Sequence, residues 1–152
     1  MENLNLPTYS FKIKSDLQRK LIFDSIRKKY VVLTPEEWVR QNFIRFLVEE
    51  KAYPESLIVI EKKVDVNLLP QRSDIVLYNQ NANSIMIVEC KASRVKVTQD
   101  VFNQIARYNM KLRVPYLVVT NGLHHYCCEM DYELKTFQFL SDIPNYQMVK
   151  NR

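Results

Sequence analysis

The chain has 152 residues, 47% of them apolar, and its 22 basic and 17 acidic side chains leave a net charge of +5. No apolar run approaches the ~18 residues of a membrane span, and the opening MENLNLPTYSFKIK lacks the apolar core of a secretory signal. The single glycine, Gly122, excludes Walker phosphate loops, dinucleotide fingerprints and Gly-x-Ser-x-Gly nucleophile elbows, all of which need backbone where a side chain would clash.

Three cysteines, two of them adjacent, do not make a disulfide framework; reduced thiols and a cytoplasmic location are expected. The length suits one domain over residues 1–152, burying roughly 70% of its unfolded surface. The positive balance favours a polyanionic partner and no membrane partner.

In chain order, short strands are predicted at Ser10–Ile13, Leu21–Phe23 and Tyr30–Leu33, forming an N-terminal extension over 1–33 ahead of a core over 34–140. Thr34-Pro35-Glu36-Glu37 starts a helix: Thr34 caps it, Pro35 fits the first turn, and two acids meet the positive end of the dipole. That helix is predicted to reach Lys51, burying Val39, Phe43, Phe46 and Leu47. A strand over Leu57–Val64 follows, then a hairpin of Ser73–Tyr78 with Ser84–Lys91. Thr98 opens a second helix to Leu112, with Val101, Ile105, Tyr108 and Leu112 on one stripe. Pro115–Thr120 reads as a strand, Asn121-Gly122 as a turn, and Leu123–Met130 with Leu134–Leu140 as a closing hairpin. The order implies a mixed sheet covered by helices on both faces.

The chemistry concentrates in Arg72-Ser73-Asp74-Ile75-Val76-Leu77 and Ile87-Val88-Glu89-Cys90-Lys91. Strand alternation puts Glu89 and Lys91 on one face and the Cys90 side chain on the other. A hairpin closed by a loop at Gln80–Asn83 sets Asp74 opposite Glu89. Two carboxylates, with the Cys90 backbone carbonyl as a further oxygen, suit Mg2+. Lys91 is then placed to aid deprotonation of the attacking water or to neutralise transition-state charge in phosphodiester hydrolysis. The bland alternative is a salt-bridge pair on an exposed edge hairpin. Against it stand Ile75, Val76, Leu77, Ile85, Ile87 and Val88, which read as a buried hairpin where charge without a role is costly. Gln104 and Tyr108, spaced i, i+4, share a helix face with Val101 and Ile105 that is expected to point at the sheet. A core glutamine and tyrosine with no role in the site is the competing reading.

These residues resemble a known family. Asp74…Glu89-x-Lys91 resembles the PD-(D/E)xK nuclease superfamily, and Gln104-Ile-Ala-Arg-Tyr108 resembles the Gln-x-x-x-Tyr motif of its RecB-type branch. From Phe11 to Phe139 the chain resembles the N-terminal nuclease domain of type I restriction enzyme R subunits. The stretches that carry this likeness are Leu33-Thr-Pro-Glu-Glu-Trp-Val-Arg-Gln41, Val88-Glu-Cys-Lys-Ala92, Gln104-Ile-Ala-Arg-Tyr-Asn109 and Tyr116-Leu-Val-Val-Thr-Asn-Gly122, in the expected order. Ser73 stands where a proline is usual.

The resemblance implies an α/β (α+β), restriction-endonuclease-like fold with an αβββαβ core and extra strands at both ends. It implies a restriction-modification hydrolase, an endonuclease acting on DNA with Mg2+, for which Mn2+ substitutes. It also implies a supporting glutamate on the first helix. Glu36 is in phase with Val39, Phe43 and Leu47 and is preferred over Glu37, which is rotated by about 100°. R subunits continue into a helicase motor, whereas this chain stops at Arg152, so it is not expected to translocate DNA by itself. Cutting both strands calls for two sites, which makes a homodimer or other restriction-system subunits expected partners. A non-cleaving nucleic-acid-binding or accessory module of the same fold is the alternative, and an interaction protein unrelated to nucleic acid is a third reading.

Arg72, Arg94, Lys96 and Arg107 are the favoured phosphate contacts. The His124-His125-Tyr126-Cys127-Cys128 run is set aside as a zinc or nucleophilic site: adjacent strand residues face opposite ways, and His125 with Cys127 gives only two ligands.

Overall fold

The computed structural model describes residues 1–63 and 72–152; the side chains of Lys62, Lys63, Arg72, Ser73 and Tyr108 also lie outside the described set. Strands β1 (Ile13–Asp16), β2 (Arg19–Asp24) and β3 (Lys29–Val32) form an antiparallel three-stranded sheet. The first strand begins where the sequence reading ended it. A tight turn with Leu17 at φ 54° pairs Ile13 with Ile22 and Asp16 with Arg19, and no apolar alternation marks that polar strand.

Helix α1 (Pro35–Glu49) starts as its sequence dictates: the Thr34 hydroxyl accepts a hydrogen bond from the Glu37 amide at 3.0 Å, and Pro35 needs no donor there. After a 3-10 turn at Glu55–Leu57 come β4 (Ile58–Lys63), β5 (Arg72–Tyr78) and β6 (Ser84–Cys90). Helix α2 (Gln99–Met110) follows, its Thr98 cap accepting from the Val101 amide at 3.2 Å. The chain then forms β7 (Tyr116–Thr120), β8 (His125–Asp131), β9 (Thr136–Leu140) and a short α3 (Tyr146–Val149). The sequence reading missed α3, which at four residues is too short to carry a periodic signal. The predicted end of β4 at Val64 lies outside the described residues.

Strands β4 to β9 make one sheet in sequence order. Strands β6 and β7 run parallel, as a helical crossover allows, and the other neighbours are antiparallel. Alternation divides the core in two. Ile75, Leu77, Val88 and Val118 face α1 through Val39, Phe43 and Leu47, whereas Val76, Ile87, Leu117 and Val119 face α2 through Phe102, Ile105 and Ala106. This is the mixed α+β architecture expected: a sheet with helices on both faces and extra strands at both ends. Among the described residues no helix is long and apolar enough to cross a membrane.

Two helix faces differ from expectation. Among the described side chains the buried positions of α2 are Phe102, Ile105, Ala106 and Asn109; of the expected stripe Ile105 is buried, Val101 is partly buried against the same core, Leu112 is exposed and Tyr108 lies outside the described set, while Gln104 is exposed. Both series fit a 3.6-residue period, and a slip of one residue turns the helix by about 100°. Helix α1 is buried nearly all round, including Glu37, Arg40, Gln41 and Asn42, because it carries buried contacts toward the small N-terminal sheet as well as the large one. A one-face phase argument therefore cannot sort its acids.

Gly122 holds φ at +85°, and a Cβ there would meet Leu4 Cδ2 at 2.8 Å and Val39 Cγ2 at 3.1 Å. The Leu4 segment is pinned across this turn by the Asn5 amide, which donates to the Gly122 carbonyl at 2.8 Å. Gly122→Ala is expected to cost about 1–3 kcal/mol, from the left-handed backbone plus the displaced N-terminal segment. Denaturant unfolding checks this, and a cost within error of zero would refute it.

Candidate active site

The hairpin register pairs Ile75 with Val88, Val76 with Ile87 and Leu77 with Met86. Continued by one step, the same register would set Asp74 opposite Glu89. Opposed residues on neighbouring strands have Cβ atoms roughly 4.5–5.5 Å apart. Both carboxylates lie on the α2 face, with Val76 and Ile87, and they are 2% and 4% exposed. The loop is 79–83, one residue longer than expected, and the extra residue is absorbed by a register shift at Leu77/Tyr78, so the site end of the hairpin is unaffected. Asn79 organises that loop, its side-chain oxygen accepting from the amides of Asn81 and Asn83 at 2.9 and 3.0 Å. Beyond β6 the ladder continues for one bond, from the Lys91 amide to the Thr120 carbonyl at 2.8 Å. Alternation therefore carries Lys91 onto the face of Glu89.

Glu61 was missed by the sequence reading. It pairs with Asp74 across β4 and β5, so three acids stand in one row on one face. The Tyr78 hydroxyl donates to Glu61 at 2.7 Å and draws it along the sheet, and that bond raises the Tyr78 pKa. Among the described residues no three His, Cys, Asp or Glu side chains converge to hold an ion. The signal for Glu61 was its phase in β4, readable only once the register to β5 is known.

The reverse face of β6 carries Cys90. Burial pushes its thiol up to about 12; Arg40 opposes the rise, and Glu36, Asp74 and Glu37 add to it. The thiol stays protonated at neutral pH, leaving the backbone carbonyl as the group Cys90 can offer a cation. Around it lies a buried ionic network. Arg40 donates to Glu37 at 2.8 Å and to Glu36 at 2.7 Å; Arg27 donates to Glu37 at 2.9 Å and to Asp24; Gln41 donates to Glu37 at 2.9 Å. Burial alone would raise the Asp24 carboxyl, but the hydrogen bonds from the Arg27 backbone and side chain outweigh it and hold Asp24 below the usual carboxylate range. The preference for Glu36 as the inward acid is corrected here. Glu37 is buried, with both its oxygens engaged, whereas the Glu36 side chain is 45% exposed.

The remaining candidates are dispersed. Gln104 is exposed on α2, contrary to its expected sheet-facing position, and the Tyr108 side chain lies outside the described residues. Arg94 and Lys96 are exposed in the loop between β6 and α2, Arg107 is exposed on α2, and Arg72 opens β5 with its side chain outside the described set.

Cys127 and Cys128 sit in opposite cores, and burial pushes both thiols up to about 12. His125 has its own structural bonds: Nδ1 meets the Thr120 hydroxyl at 2.7 Å and Nε2 meets the Asn5 carbonyl at 2.9 Å. A carbonyl only accepts, so Nε2 carries the proton and Nδ1 accepts from Thr120. Burial lowers the His125 pKa, opposed by the Asn5 carbonyl and aided by His124. With the folded value depressed, this contribution is complete above the ordinary imidazole value near 6.5 and declines as pH falls below it toward the folded value. Thermal melting is expected to weaken over that interval in the natural chain and less so in His125→Gln; identical profiles would refute the assignment.

The fold is shared with a fragment structure of a putative HsdR subunit of a type I restriction enzyme from Vibrio vulnificus YJ016, at 20% identity and a TM-score of 0.50. The likeness covers 78% of this chain and 25% of that one, so this chain spans about a quarter of that structure's length. No curated protein matches the chain. Residues 35–144 match the family model described as the type I restriction enzyme R protein N terminus, and the chain belongs to that family.

Proposed function

We propose that the chain is a Mg2+-dependent DNA nuclease of the PD-(D/E)xK kind, hydrolysing phosphodiesters with Asp74, Glu89 and Lys91. The reading is supported by the hairpin register at Ile75 and Val88, which continued by one step brings Asp74 and Glu89 together, with Lys91 following by strand alternation. The donor set fits the ion: two carboxylates and the Cys90 carbonyl are hard oxygens, and Mg2+ takes one or two carboxylates while keeping waters. When bound, Mg2+ supplies charge neutralisation at the phosphate and a more acidic water.

Asp74 and Glu89 hold and orient the cation; Lys91 contributes positive charge where the leaving and attacking oxygens become anionic. Gln104, facing solvent on α2, is available to the DNA strand, with Tyr108 one turn further along the helix. Arg94, Lys96 and Arg107 are exposed cations for phosphates, and Arg72 is assigned the same role. Supercoiled plasmid incubated with Mg2+ or Mn2+ tests the reading. Nicking or linearisation that disappears with chelator and in Asp74→Ala is expected. Cleavage no greater than that of the variant would overturn it, and salt-sensitive binding without scission would indicate a binding module instead.

A further inference from the structure

The row of paired residues on the α2 face continues past Glu89. Glu89 pairs with Val119 on β7, and Val119 pairs with Tyr126 on β8, all on the α2 face. Tyr126 is thus level with Glu89 and two strands away, roughly 10 Å at about 4.8 Å per strand. There the sheet opens into a groove of about 380 Å³ lined by Val97, Gln99, Phe102, Tyr126 and Phe139. Its rings are only partly covered: Tyr126 is 37% and Phe139 43% exposed, while buried Phe102 lies 6.3 and 4.8 Å from them, centroid to centroid. The loop that enters the groove carries the exposed cations Arg94 and Lys96, and the Asn121 side chain fixes it by donating to the Val95 carbonyl at 2.9 Å.

We infer that this groove stacks an unpaired nucleobase beside the phosphate that a cation on Asp74 and Glu89 would hold. The inference rests on the nuclease reading, since the carboxylate pair sets where the strand runs. Aromatic faces stack bases of any sequence, and cations at the entrance suit the backbone that must accompany the base. An apolar peptide or a second copy of the chain would have no use for Arg94 and Lys96 at the rim.

The test is metal-free fluorescence anisotropy with a short oligothymidylate and with the same strand made wholly of abasic sugars. Tyr126→Ala is expected to weaken thymidylate binding roughly five- to a hundredfold and to leave the abasic strand unaffected, with Tyr126→Phe restoring affinity. Arg94→Ala and Lys96→Ala should weaken both strands alike. Equal loss on both strands with Tyr126→Ala, or no loss on thymidylate, would overturn the groove assignment. So would a Tyr126→Ala change from dimer to monomer by light scattering, which would mean that a second copy fills the groove. Plasmid cleavage is scored separately, so a failed groove leaves the nuclease reading standing, and absent cleavage with base-dependent binding removes only the nuclease reading.

Discussion

Glu89→Ala and Lys91→Ala are expected to join Asp74→Ala in lowering metal-dependent plasmid cleavage by at least roughly 10³-fold for the acids and about 10²–10³-fold for the lysine. The two acids differ from the lysine in what else they do. Asp74 and Glu89 are almost fully buried, and on the proposed reading they hold the cation, which the lysine does not. Mg2+ should then raise the melting temperature of the natural chain, by an amount worth about 2.7 kcal/mol at a hundredfold excess over its dissociation constant, and leave Asp74→Ala unmoved. Lys91→Ala should keep the thermal response to Mg2+ while losing cleavage, which separates charge stabilisation from cation holding. Cleavage by Asp74→Ala within tenfold of the natural chain would defeat the assignment.

The second large effect is structural. Arg40 is 4% exposed and binds both Glu36 and Glu37; Glu37 in turn holds Arg27 and Gln41. Arg40→Met leaves Glu37 buried with part of its compensation gone, and breaking a buried ionic cluster from one side costs about 3–5 kcal/mol. Against a total stability of about 5–15 kcal/mol this is a large share. It corresponds to a melting temperature lower by roughly 6–20 °C, at about 2–4 °C per kcal/mol for a chain of this size. Glu37→Leu on top of Arg40→Met should recover part of the loss, because the stranded charge is then gone. Urea unfolding measures both, and a cost below about 1 kcal/mol for Arg40→Met would contradict the network's role.

How much of this was legible in the sequence depended on whether a signal was local. The Thr34 and Thr98 caps and the hairpin of β5 with β6 were readable because capping and strand alternation involve residues close in the chain. Gln104 was assigned to the wrong face because Asn109, a buried polar residue whose amide donates to the Ile105 carbonyl at 2.8 Å, does not look like core. Glu37 was misjudged because the groups that hold it, Arg27 and Arg40, belong partly to an element before α1. Glu61 and the Tyr126 groove required the strand order β4 to β9, which no periodicity encodes.

The family match begins at residue 35, yet α1 does not end its obligations there. Asp24 and Arg27, from the small sheet, steady Glu37, and the Glu2 carbonyl receives the Trp38 indole N–H at 3.0 Å. A chain trimmed to the matched portion would bare the outer flank of α1 and strip Glu37 of one of its guanidinium partners. The leading segment thus acts as ballast for the helix that backs the large sheet, and shortening it to a minimal version would undermine the part meant to be kept.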